Sequence, residues 1–117
     1  MGLVLWIDDN KFATGLLEKA FKKAGVEFYT IDSVKDFTYL VDDLNPAVIY
    51  LDTQTFLKGK EDFLRQYNAS SKMQQTGFIL DQKSEETSFL KKIQGIIEKP
   101  INPFELPEKI QKICNLI

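Results

Sequence analysis

Histidine is absent from this 117-residue chain. Its absence removes the Ser-His-Asp and Cys-His catalytic pairs and every histidine-based zinc site. There is a single cysteine, Cys114, so no internal disulfide can form, as suits a reducing cytosol. Cys114 lies in an apolar helical pattern and reads as a packed thiol rather than a reactive one. There is one arginine, Arg65, and the lysines are spread along the chain; Lys22-Lys23 and Lys91-Lys92 read as solvated helix faces. With 15 Lys+Arg against 17 Asp+Glu the net charge is −2, which lacks the basic footprint of a nucleic-acid binder. No apolar run approaches the ~20 residues of a membrane span. The first residues, MGLVLWIDDN, have too short an apolar run and no basic stretch for a secretory signal. Trp6 stands where a myristoylation signal requires Ser or Thr. No GxxxxGK[ST] or GxGxxG loop follows a strand, so a nucleotide- or flavin-binding reading finds no phosphate cradle.

What is present is the composition of one globular domain spanning 1–117. Hydrophobic residues at 44% and charged residues at 27% exclude disorder and suffice for one core. No internal repeat, low-complexity tract or linker interrupts the chain. Short apolar runs instead alternate with longer amphipathic stretches. Leu3 to Ile7 is apolar on both faces, as a covered parallel strand would be. Asn10 can cap a helix using Phe12, Leu16, Leu17, Ala20, Phe21 and Ala24, which Gly25 would stop. Val26 to Ile31 reads as an edge strand because Glu27 and Thr30 interrupt it.

Ser33 can cap a second helix with Val34, Phe37, Leu40, Val41 and Leu44 on one face, ended by Asn45-Pro46. Ala47 to Leu51 is a third strand. A polar loop and a helix near Glu61 to Ser71, using Phe63, Leu64 and Tyr67, should follow. Gly77 to Leu80 is a fourth strand, and Ser84 can cap a short helix carrying Phe89, Leu90 and Ile93. Gly95 to Ile97 is a fifth strand. Asn102-Pro103 would open a last helix that buries Phe104, Leu106, Ile110, Ile113 and Ile117. Five strand-helix units predict an α/β fold with a parallel sheet covered by helices on both faces.

Ligands in such sheets bind beyond the carboxyl ends of the strands, so the residues there carry the chemistry. The first strand ends in Asp8-Asp9, the third in Asp52, the fourth in Asp81 and the fifth in Glu98-Lys99-Pro100. Singly, each has an ordinary explanation in a helix dipole, a turn or a loop. Jointly they place several carboxylates and one ammonium on one edge. Oxygen-rich clusters of this kind suit Mg²⁺, which takes one or two protein carboxylates plus phosphate oxygens. Asp52 could then act as a nucleophile on a phosphoryl donor, with Lys99 as a point charge on the transferred group.

With these residues in this strand order, and a spacing of 43 residues from Asp9 to Asp52, the chain resembles the receiver domain of two-component response regulators over essentially its full length. The resemblance implies a flavodoxin-like, doubly wound five-stranded sheet of order 2-1-3-4-5 with five helices. It implies Asp52 as the phosphoacceptor and Lys99 as the phosphoryl-binding lysine, joined to Pro100 by a cis peptide bond. It implies Mg²⁺ held by Asp9 and Asp52, by Asp8 through water, and by the backbone carbonyl of Gln54. Implied partners are a histidine kinase or phosphotransfer protein, and a downstream protein on the face of the fourth helix, fifth strand and fifth helix. No direct nucleic-acid contact is implied, and the location is cytoplasmic.

The sequence also departs from the family. Receivers usually end the fourth strand in Ser or Thr; here Asp81 stands there. An ionised carboxylate only accepts hydrogen bonds. About 5 Å from another negative charge it costs on the order of 3 kcal/mol at an effective dielectric near 20. Asp81 should therefore turn to solvent and cap a loop, bind a cation, or be protonated. Ile96 stands where receivers commonly carry a mobile aromatic, and reads as a buried strand residue. Only 18 residues separate Asp81 from Lys99, which shortens the fourth helix. Thr53-Gln54-Thr55-Phe56 replaces the usual Met-Pro loop. A phosphorylation-independent binding module is therefore the alternative function. A small aspartyl-phosphate phosphatase is disfavoured, since it wants an Asp-x-Asp pair and more chain, and no enzyme activity is expected. The chain ends at the fifth helix, so output is expected through protein contacts unless the domain is excised from a longer protein.

Overall fold

The computed structural model describes residues 2–114. The described chain forms β1 (Val4–Ile7), α1 (Lys11–Ala24), β2 (Phe28–Ile31), α2 (Phe37–Leu44), β3 (Val48–Leu51) and α3 (Thr53–Lys58). It continues through α4 (Lys60–Ala69), α5 (Ser71–Gln75), β4 (Gly77–Leu80), a 3₁₀ turn (Glu85–Thr87), β5 (Ile93–Ile96) and α6 (Leu106–Cys114). The five strands are parallel, in the order β2-β1-β3-β4-β5. This is the expected flavodoxin-like order. None of the described helices is long and apolar enough to cross a membrane.

Alternation along the strands builds two cores. Leu5, Ile7, Ile49, Leu51, Phe78 and Leu80 face α2 to α5 with Phe37, Phe56, Phe63 and Tyr67. Val4, Trp6, Val48, Tyr50 and Ile79 face α1 and α6 with Leu17, Phe21 and Ile110. Trp6 and Tyr50 stack with ring centroids 3.6 Å apart. α1 is built as its sequence suggests. The Ala13 N–H donates to Asn10 Oδ1 at 3.1 Å, and Gly25 closes the helix at φ 73°.

Several expectations need correction. The structure has six α-helices among the described residues, not five. No loop follows β3, because the Asp52 carboxylate caps α3 directly. Gly59 then breaks the chain between α3 and α4, where a Cβ would lie 2.6 Å from Val34 Cγ2. Ser70 caps α5, so the helix expected over Glu61 to Ser71 becomes two. Ser84 does accept from the Glu86 N–H at 3.1 Å, but it caps only one 3₁₀ turn. The short connection back to the sheet uses Phe89 and Leu90 for packing and draws Ile93 into β5.

Ser33 does not cap α2. Its Oγ accepts from Lys35 N–H, and α2 starts only at Phe37, after Asp36 in the left-handed region. The exposed first turn of α2 is completed by Gln66 of α4, which accepts from Thr38 N–H at 2.9 Å. Asn102 heads a turn by accepting from Phe104 N–H, and α6 begins at Leu106, with Pro107 rather than Pro103 in its first turn. Phe12, Leu16 and Phe104, expected in the core, are 80%, 43% and 86% exposed, since among the described residues no further element covers the groove between α1 and α6. Ile96 is 39% exposed rather than buried, because β5 is an edge strand with β4 as its one neighbour. Ile117 lies outside the described residues.

Candidate functional site

The carboxyl edge of the sheet brings four of the expected residues together. Backbone bonds fix their starting points: Asp8 N–H donates to Ile31 O at 3.0 Å, and Asp52 N–H to Ile7 O at 2.9 Å. Both aspartates continue strands that are fully buried, and both are themselves buried. Lys99 reaches across from beyond β5, preceding a cis peptide bond to Pro100. Its Nζ donates to Asp52 Oδ1 at 2.7 Å and to Asp8 Oδ2 at 3.1 Å. Asp9, next along the chain, is half-buried and points to the same place. One carboxylate oxygen from each of Asp8, Asp9 and Asp52 lies within 4.8 Å of the others.

The local chain explains this arrangement. Asp52 Oδ2 accepts from Thr55 N–H at 3.0 Å and from Thr55 Oγ1 at 2.8 Å, so the same carboxylate is the N-cap of α3. Thr55 Oγ1 in turn accepts from Asp9 N–H at 3.0 Å. One threonine thus couples the ends of β1 and β3. Asp8 Oδ1 accepts from Asn10 N–H at 3.1 Å. Lys58, at the end of α3, forms an ion pair with Asp9.

The electrostatics follow from these contacts. Burial pushes the Asp52 carboxyl up, but hydrogen bonds from Lys99 and Thr55 and the Lys99 charge outweigh it, holding the group below the ordinary Asp value. Burial pulls Lys99 down, yet its bonds to Asp52 and Asp8 win and raise it. The Lys58 ammonium is raised by its hydrogen bond to Asp9 and by that residue's charge. All three stay charged at neutral pH. Below the acid edge, burial raises the Tyr50 hydroxyl far above its ordinary range, with Asp81, Asp52 and Asp8 adding to it. Cys114 is a packed thiol, raised by burial and bonded to Gln94 Oε1 at 3.6 Å.

Two expected positions behave differently. Asp81 is half-exposed and caps a helix rather than a loop. Its Oδ1 accepts from Thr53 N–H at 3.0 Å and from Thr53 Oγ1 at 2.5 Å, which adds a second cap to α3. The buried hydroxyl at this part of the edge therefore belongs to Thr53 after β3, not to the residue ending β4. Gln54 is the second residue of α3, in the helix that Asp52 caps rather than in a loop. Reasoning from sequence missed Thr53, Thr55 and Lys58. Asp52 followed three residues later by Thr55 was a legible capping signal; Lys58 had none.

Neither a known family description nor a curated protein matches the sequence. Solved structures do match. The chemotaxis response regulator CheY4 of Vibrio cholerae superposes with a TM-score of 0.74 at 20% identity, covering 97% of this chain and 98% of that one. This is the receiver-domain fold. A response regulator receiver domain protein from Methanospirillum hungatei gives a TM-score of 0.72 at 17% identity, covering 99% and 95%. The pseudo-receiver domain of the CikA protein gives 0.65 at 18%, covering 97% and 98%. The receiver fold is thus shared here with both a chemotaxis regulator and a pseudo-receiver.

The donor set fits a hard divalent cation. Three carboxylates converge, two of them are desolvated, and oxygen is the one ligand type they offer. Asp8 and Asp52 now share one ammonium, which leaves the group of three net negative.

Proposed function

We propose that this chain is a signalling receiver that accepts a phosphoryl group on Asp52 from a histidine kinase or phosphotransfer protein in the cytoplasm, and acts through protein contacts rather than as an enzyme. The observation that carries the reading is the meeting of Asp8, Asp9, Asp52 and Lys99, from three separate segments, at one edge of the sheet. Asp8, Asp9 and Asp52 would hold Mg²⁺, which when bound supplies positive charge to the phosphoryl oxygens. An Asp52 oxygen attacks phosphorus; a P–O bond forms, and the P–N bond to the donor imidazole breaks. The lowered pKa of Asp52 keeps it ionised as a nucleophile. Lys99, already on Asp52 Oδ1, follows the transferred group as a compensating charge. Thr55 keeps the other oxygen, Oδ2, fixed on α3.

A second reading, a phosphorylation-independent binding module, is favoured by the Asp81–Thr53 bond, the half-exposed Ile96 and the single 3₁₀ turn that stands between β4 and β5. In both readings the output contact is assigned to β5 and its flanks, where Ile93 and Ile96 are exposed. The deciding experiment is intact mass after incubation with Mg²⁺ and acetyl phosphate or phosphoramidate. One phosphoryl adduct on wild type and none on Asp52→Asn is expected. No adduct on wild type, beside a control receiver that labels, would reject the phosphoacceptor reading in favour of the binding module.

A further inference from the structure

The three converging carboxylates are not equivalent. The Asp8 and Asp52 side chains are 2% and 4% exposed and share Lys99, whereas Asp9 is 34% exposed and is paired with Lys58 instead. Lys58 has a fixed origin. α3 is six residues long, and its first turn is pinned by Asp52 through Thr55 and by Asp81 through Thr53. Its last residue is thereby held over the open side of the acid group, where the stem lets the ammonium rest on Asp9.

We infer that Lys58 is an internal counter-ion that competes with a divalent cation for Asp9 and sets how tightly the acid edge binds metal. The inference rests on the reading of Asp8, Asp9 and Asp52 as a cation site. The three carboxylates and Lys99 carry a net charge of −2 between them, and Lys58 brings this to −1. An incoming divalent ion therefore meets a weaker net attraction, and must push an ammonium from the ligand that faces solvent. The pair itself is solvent-washed, with Lys58 70% exposed. Solvent-screened pairs are weak and salt-sensitive, so Lys58 can swing out and the cation is discouraged rather than excluded. The result is a site whose metal occupancy depends on divalent concentration, with Lys58 released from Asp9 in the loaded state.

The test is direct binding of Mn²⁺, followed by the loss of its free electron-paramagnetic signal, with Mg²⁺ competing. Lys58→Gln keeps the helix and removes the charge. It is expected to tighten Mn²⁺ and Mg²⁺ by about three- to tenfold at low salt, the gain shrinking as salt rises. Lys60→Gln removes an equal charge from an ammonium paired with Glu86 and controls for net charge; it is expected to change affinity by less than about twofold. Equal affinities for wild type and Lys58→Gln, or an equal gain in Lys60→Gln, would overturn the counter-ion role while leaving the metal site standing. Saturable binding to none of the three proteins would overturn the metal site and the inference with it.

Discussion

At the ends of β1 and β3, both oxygens of Asp8 and both of Asp52 accept hydrogen bonds, and one lysine joins the two groups. At the ends of β4 and β5 the pattern is different. Asp81 serves as a cap for α3, the following helix is a single 3₁₀ turn, and Ile96 is partly open to solvent. The first half gathers three carboxylates around one ammonium. The second half lacks the hydroxyl and the ring that receivers usually place there. The two halves meet in α3, which takes one cap from Asp52 and another from Asp81. In this chain the element best placed to feel a change at Asp52 is therefore α3, since Thr55 in its first turn is bonded to that carboxylate.

The comparison can be broken first at Lys99. Lys99→Met leaves two buried carboxylates facing each other. Breaking such a pair costs several kcal/mol when dry; Lys99 is 39% exposed, so about 1–3 kcal/mol is expected by urea unfolding. Phosphoryl incorporation should fall with it. The pH profile gives an independent check. Asp52 is lowered in the folded state, so its contribution is present above the ordinary Asp value of about 4 and is lost as pH falls through the lower folded value. Lys99 is raised, so its contribution is present below about 10.4 and is lost as pH rises through the higher folded value. Both limbs should flatten in Lys99→Met; unchanged limbs would mean that the pair contributes nothing to folding.

A smaller effect sharpens the other half. Asp81→Ala leaves the Thr53 N–H and hydroxyl without their acceptor, at a cost of about 1–2 kcal/mol, while phosphoryl incorporation on Asp52 persists. Loss of incorporation with the fold intact would show that the two halves are not separable. The smallest effect is expected at Tyr50. Its hydroxyl is fully buried and has no hydrogen-bond partner among the described residues. Tyr50→Phe should therefore change stability by less than about 0.5 kcal/mol, or raise it, since an unpartnered buried hydroxyl is costly. A loss above about 1 kcal/mol would point to an ordered water bridging that hydroxyl.

Much of the first half was legible before any coordinates. Val4 to Ile7 and Val48 to Leu51 are continuous apolar runs, and a carboxylate directly after such a run must emerge at the sheet edge. The second half was harder to read. Ile96 looks like any strand isoleucine, and whether it is covered depends on there being a strand beyond β5. Phe12 and Phe104 fit helical spacing, yet no other described element covers the surface they occupy. Ser33 is a good cap residue, but α2 takes its capping acceptor from Gln66, 28 positions away.

From its sequence alone, five parallel strand-helix units and the placing of Asp8, Asp9, Asp52 and Lys99 at strand ends could be derived, because apolar periodicity and right-handed crossovers bring those ends to one edge; the strand order came only from the resemblance to receiver domains. Tertiary structure decided where α3 begins, that Thr53 rather than Asp81 carries the buried hydroxyl, and that Lys58 rests on Asp9. Those features depend on hydrogen-bonding groups from distant segments arriving within about 3 Å of one another, and no local pattern encodes that distance.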